Sequence, residues 1–255
     1  MNRQPNTSAR LGELGPALGR ARLVILDCDG VIFDSNHFKS DAFAKALADY
    51  PEDAVQELVE YHKAHGGISR FVKFRRFFQT LPTQKTLTVE TLNTLVSGAC
   101  QRFGQICRQA YEDSQPIGEA IEFAKMFGPD RIAVVSGGAQ DELRDVFELH
   151  GIDDLFRCVL GSPTKKVEHI TDLLEGLQLR PDEVVFIGDG FGDYDACQHT
   201  GVPFVYLQQY SEWQAATSQL YVGDELRPNV FWCDTWTRLL AVARSEVKPG
   251  PHQAE

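Results

Sequence analysis

Long apolar runs are missing from this chain: none of them approaches the ~18 residues that a membrane span needs. Met1 to Arg20 is polar and rich in Gly and Pro, without the apolar stretch of a signal peptide. Paired cysteines are missing too. Cys28, Cys100, Cys107, Cys158, Cys197 and Cys233 are scattered and form no CxxC. That scatter argues against a zinc site and predicts reduced thiols in a cytoplasmic protein. Basic residues are few, 25 Lys and Arg against 36 Asp and Glu, for a net charge of −11. Such acidity argues against nucleic acid or an anionic membrane as the main partner, and leaves a small anionic ligand open. A dinucleotide loop is also absent. Gly188 to Gly192 reads GxGxG rather than GxGxxG, and Asp189 within it would repel a pyrophosphate.

What the chain does have falls into two textures. The first is an alternation of short apolar runs and helical patterns. Leu23–Leu26, Ile132–Val135 and Val184–Ile187 read as strands buried on both faces, with Cys158–Leu160 and Phe204–Leu207 as weaker strands. Leu143, Val146, Phe147 and His150 share one helix face between them, as do Val167, Ile170, Leu174 and Leu177. Such alternation predicts an α/β fold with a parallel sheet. The second texture, from about Asn36 to Glu112, is helical throughout. Val55, Leu58, Val59 and His62 recur at helical spacing, as do Val89, Leu92, Val96, Ala99 and Phe103. Gly66 and Gly67 break the first of these patterns, and Ser69 is placed to cap the next helix. The expected organisation is a discontinuous core, 20–35 and 113–246, a helical cap at 36–112, and flexible ends at 1–19 and 247–255.

Ligands of open parallel sheets bind beyond the carboxyl ends of the strands. The candidate strands deliver Asp27, Asp29 and Gly30, then Ser136, Gly137 and Gly138, then Asp189 with Asp193 four residues on. Clustered carboxylates repel one another, and a hard divalent cation removes the conflict. Mg²⁺ takes carboxylates and substrate phosphate together, so the acidic cluster predicts a metal and the metal predicts a phosphate. Lys165 and Lys166 open a helix, where a bound anion would offset their unfavourable position. Ser136 and the two glycines after it offer a hydroxyl and backbone N–H groups to a phosphoryl oxygen. Each element alone has a plainer reading as a turn, a loop or a solvated pair; the weight lies in their order.

DCDGVIFDS at Asp27–Ser35, VVSGG at Val134–Gly138, SPTKKVEHI at Ser162–Ile170 and VVFIGDGFGD at Val184–Asp193 resemble, in that order, the four motifs of the haloacid dehalogenase superfamily. The helical insertion resembles that family's C1 cap, in the manner of phosphoglycolate phosphatase and β-phosphoglucomutase-like members. The resemblance implies a Rossmann-like core and a phosphoric monoester hydrolase acting on a small phosphorylated metabolite. It implies Asp27 as the nucleophile that becomes an aspartyl phosphate, and Asp29 as acid and then base. It implies Mg²⁺ held by Asp27, the Asp29 carbonyl and Asp189, with Asp193 beside them. Ser136, Gly137 and a lysine would hold the phosphoryl oxygens; Lys166 fits better than Lys165, because Ile170 then falls one turn later on the core face. An acid at Asp29 sides with phosphatases and phosphomutases rather than dehalogenases. A phosphomutase and a non-catalytic phosphate-binding protein stand as alternatives, and a monomer or a homodimer is expected.

The cap carries one conspicuous stretch, GGISRFVKFRRFF at Gly66–Phe78. Phe71, Phe74 and Phe78 are expected on one helix face. Arg70 and Lys73 are either part of a solvated basic face or reach an anionic substrate, as the similarity of GISR to a β-phosphoglucomutase cap stretch implies for the arginine. His37 reads as the start of a cap helix or as pocket lining, and His62 and His65 belong to the cap. Trp213, Trp232 and Trp236 read as packing residues.

Overall fold

The computed structural model describes residues 10–81 and 87–246. Six parallel strands form the central sheet: β1 (Leu23–Leu26), β2 (Ile132–Ala139), β3 (Val159–Ser162), β4 (Val184–Gly188), β5 (Phe204–Leu207) and, after a short antiparallel pair β6 (Tyr221–Val222) and β7 (Glu225–Leu226), β8 (Val230–Cys233). Their order is β3-β2-β1-β4-β5-β8. Strand β1 pairs with β2 on one edge and β4 on the other, Leu26 lying opposite both Val134 and Ile187. The chain therefore reverses its winding at β1, and a crevice opens beyond its carboxyl end.

Alternate residues of β1 serve the two faces. Val24 and Leu26 join the core under α1 (Leu11–Arg20) and α11 (Trp236–Glu246), and Leu23 and Ile25 join the core that contains Ile170 of α8 (Lys166–Gly176) and Ala196 of α9 (Phe191–Thr200). Between β1 and β2 lie α2 (Asn36–Ala46), α3 (Glu52–Ala64), α4 (Arg70–Thr80) and the long α5 (Val89–Asp113), then α6 (Gly118–Phe127). Helix α7 (Gln140–Leu149) follows β2. Phe43, Phe74 and Phe103 pack together inside the helical insertion, their ring centroids 4.5 to 5.9 Å apart.

Several expectations need correction. Residues 11–19 are not a loose end: they belong to α1, whose Leu14 and Leu18 are fully buried. The glycines that suggested disorder permit close packing, for Gly15 and Gly19 face Glu246 at the end of α11. The remainder of that expectation, 1–9 and 247–255, lies outside the described residues. Strand β8 was not anticipated. In α4 the buried face is Phe74, Phe77 and Phe78, while Phe71 is exposed. Val89, at the first turn of α5, is exposed as well. Ser69 occupies the N-cap of α4 without a side-chain capping bond.

Candidate active site

The sheet order explains why distant residues meet. Asp27 follows β1, Ser136 lies on β2 and Asp189 follows β4, so all three sit at the carboxyl ends of adjacent strands. Ligand oxygens of Asp27, Asp189 and Asp193 lie within 4.8 Å of one another, and all three side chains are buried. Lys166 Nζ is 2.9 Å from Asp27 Oδ1 and also pairs with Asp193. Lys165 is the exposed N-cap residue of α8, whereas Lys166 opens the helix on its buried side. The register that buries Ile170 thus turns Lys166 toward the carboxylates.

The charge balance here is lopsided. Three carboxylates face one ammonium, leaving two negative charges uncompensated if all are ionised. Burial, with repulsion from Asp193 and only partly opposed by Lys166, pushes Asp27 up to about 7. Burial and repulsion from Asp27 and Asp193 push Asp189 well above the usual carboxylate range. Burial works against a charged Lys166, but Asp193 and Asp27 outweigh it and raise its pKa. A divalent cation would balance this cluster, and its all-oxygen donor set fits Mg²⁺.

Local bonds fix the geometry. Asp27 Oδ1 accepts from the Cys28 N–H at 2.7 Å. Asp193 Oδ2 accepts from the Gly190 N–H at 3.0 Å, so the residue also caps α9. Asn36 donates to Asp189 Oδ2 at 2.6 Å and to the Tyr210 carbonyl at 2.8 Å. Ser136 Oγ accepts from the Gly138 N–H at 3.1 Å, which leaves its own proton free to donate. Gly30 has a φ of +71°, and a Cβ there would overlap the Asp189 carboxylate. Gly137 meets the carbonyl of Gly67, which comes from the α3–α4 turn, and Gly192 N–H donates to the Gly66 carbonyl at 2.8 Å. The insertion thus closes directly onto the strand-end loops through glycine backbone.

Asp29 is held differently. Its carboxylate accepts from Ser35 Oγ at 2.5 Å, from Tyr111 and from Lys39, with which it forms an ion pair. Burial would raise its pKa, but Lys39 and these hydrogen bonds outweigh that and hold it below the usual value. Asp29 is accordingly kept as a carboxylate, ready to take a proton.

A cavity of about 570 Å³ lies over Asp27, Asp29 and Asp189 and extends to Lys39, Arg70 and Lys73 of the insertion. Its size is in the ~300–1,000 Å³ range of small-molecule sites. Ser136, Lys166 and Asp193 are buried behind its lining. Arg70 makes a two-pronged bridge to Glu142 of α7, at 2.7 and 2.5 Å. Lys73 Nζ sits 2.7 Å from His62 Nδ1. Neither is on a solvated face, since Arg70 and Lys73 are both buried. His37 turns outward and pairs with Asp34, and His65 stacks on Tyr61. The three tryptophans are buried in the core.

Asn36, Lys39, His62 and Tyr111 were not anticipated as site residues. For two of them a signal existed: Asn36 and Lys39 stand three apart on α2, a polar pair beside the motif that carries Asp27 and Asp29.

Strand-end carboxylates, a lysine at a helix start and a helical insertion over the sheet define a class, the hydrolases of the haloacid dehalogenase type. A haloacid dehalogenase-like hydrolase model matches residues 21–201, and the chain belongs to that family. No curated protein matches by sequence. A solved structure of a predicted phosphoglycolate phosphatase from Haemophilus somnus is 19% identical with a TM-score of 0.64, covering 88% of this chain and 98% of its own. The β-phosphoglucomutase of Clostridium difficile is 18% identical with a TM-score of 0.60, covering 86% and 93%. A haloacid dehalogenase-like family protein from Streptococcus pneumoniae is 15% identical with a TM-score of 0.60, covering 87% and 98%. These likenesses establish the fold. Among the described residues no helix is long and apolar enough to cross a membrane.

Proposed function

We propose that this chain is a Mg²⁺-dependent phosphatase that hydrolyses a small phosphorylated metabolite through an aspartyl phosphate on Asp27. One observation carries the reading: three buried carboxylates within 4.8 Å share a single lysine. That arrangement is stable only if further positive charge is supplied. Asp27, Asp189, Asp193 and the Asp29 carbonyl would hold Mg²⁺, which would neutralise the cluster and draw charge from the phosphoryl oxygens.

In the first step Asp27 attacks phosphorus and the bond to the leaving oxygen breaks; Asp29 takes the proton that a monoanionic phosphoester carries and passes it to that oxygen. In the second step water attacks the aspartyl phosphate, Asp29 takes the water's proton, and Asp27 is released. The Ser136 hydroxyl, the Gly137 N–H and the Lys166 ammonium bind the transferring oxygens, in keeping with a reaction governed by positioning and charge. Asp193 keeps Lys166 in place through its ion pair. Arg70 and Lys73 face the rest of the substrate from the cap.

The test is release of inorganic phosphate from p-nitrophenyl phosphate, with and without Mg²⁺. Turnover is expected only with the metal, and Asp27→Asn should abolish it. Metal-independent turnover, or full activity in Asp27→Asn, would overturn the reading.

A further inference from the structure

The four cap cations at the cavity are not equivalent. Lys39 is neutralised by Asp29, Arg70 by Glu142 and Arg108 by Glu112. Among the described residues no carboxylate forms an ion pair with Lys73, although its side chain is only 1% exposed. Its hydrogen-bond partner is His62 Nδ1. With Lys73 protonated, its ammonium has donors only, so Nδ1 accepts and the imidazole proton resides on Nε2. That Nε2 is buried without a partner, and His62 also lines the cavity. Phe43 steadies the pair: its ring centroid lies 4.5 Å from that of His62 and 5.6 Å from Lys73 Nζ.

A buried cation without a counter-ion is costly, and so is a buried donor without an acceptor. Both penalties fall on one patch of the wall, and anionic oxygens would relieve both. We propose that Lys73 and His62 form a subsite for a second anionic group, so that the substrate is a phosphomonoester carrying a distal carboxylate or second phosphate. This rests on the phosphatase reading, which assigns the scissile phosphoryl group to Asp27. The two anions would then share one cavity, one against the strand ends and one against the cap. A neutral remainder would leave Lys73 and His62 Nε2 unmatched in the closed complex.

The test is binding, measured by calorimetry with Mg²⁺ on full-length Asp27→Asn, which cannot form the aspartyl phosphate. Two matched pairs serve as probes: 2-phosphoglycolate against 2-hydroxyethyl phosphate, and fructose 1,6-bisphosphate against fructose 6-phosphate. The doubly anionic member of at least one pair should bind about tenfold tighter or better, as expected of a charge-assisted contact. A preference in the first pair assigns a carboxylate, and in the second a phosphate. Adding Lys73→Met should bring the ratio to within about twofold, and Lys73→Gln, which keeps a donor without the charge, should do the same. No preference in either pair, or one that survives the loss of Lys73, overturns the subsite. Phosphatase failure reads out separately: a wild-type protein that releases phosphate from no ester refutes that reading, whatever the binding ratios.

Discussion

The strand-end rim and the cap wall face each other across one cavity with opposite charge problems. The rim gathers three carboxylates around Lys166. The wall gathers Lys39, Arg70, Lys73 and Arg108; Asp29 and Glu142, from segments outside its helices, pair with the first two, and Glu112 of α5 pairs with Arg108. On the proposed function, the surplus of negative charge on one side would take a metal ion and the surplus of positive charge on the other an anion. The rim would then carry out the step common to every leaving group, and the wall would distinguish one leaving group from another.

If that division is right, loss of Lys166 should be far more damaging than any change in the wall. Lys166→Met is expected to lower kcat by on the order of 10³-fold for every phosphoester, since it removes a charge that touches the developing transition state. A loss confined to some substrates would blur the division. A smaller effect is expected where the two sides touch. Gly137→Ala places a Cβ against the Gly67 carbonyl, so the cap is propped away from the rim. The kcat/KM for the true substrate should fall by about 10- to 100-fold through misplacement, with a lesser loss for p-nitrophenyl phosphate. Equal losses would show that the contact serves the rim alone.

The mildest test concerns stability rather than rate. Burial, then repulsion from Lys39, lowers Lys73 to about 7 from its ordinary 10.5. The unfolded chain therefore holds the extra proton between those values, and the folded protein gains stability as pH rises through that window. Below pH 7 the penalty is present in full. Without ligand, Lys73→Met should be more stable than wild type by an amount on the order of a few kcal/mol near pH 6, shrinking toward pH 10. Thermal unfolding across that range measures it, and a difference that does not vary with pH would refute the buried-cation account.

The two sides also differ in how far the sequence discloses them. Asp27, Asp29, Ser136 and Asp189 could be placed because each follows or ends a short apolar run, and parallel strands deliver such positions to one edge. Lys166 could be chosen over Lys165 because helical spacing ties it to Ile170. The wall offers no such rule. Tyr111 is 82 residues from Asp29, and His62 is 11 from Lys73, on separate helices. Periodicity shows which face of a helix is buried, not what that face is buried against. That is why Arg70 and Lys73 had two readings, and why α1 looked like a loose end: Gly15 and Gly19 count as breakers until Glu246 is seen beside them.

Strand β1 is only four residues long, yet both its edges are paired and both its faces are covered. Its amides can meet solvent only when the sheet itself comes apart, so their hydrogen exchange should track global unfolding. The carboxylate that follows it is then expected to be anchored in one of the slowest-opening parts of the molecule. Whatever breathing admits a ligand must be borne by the inserted helices, and exchange rates mapped along the chain should rise across 36–113 well before they rise at Leu26.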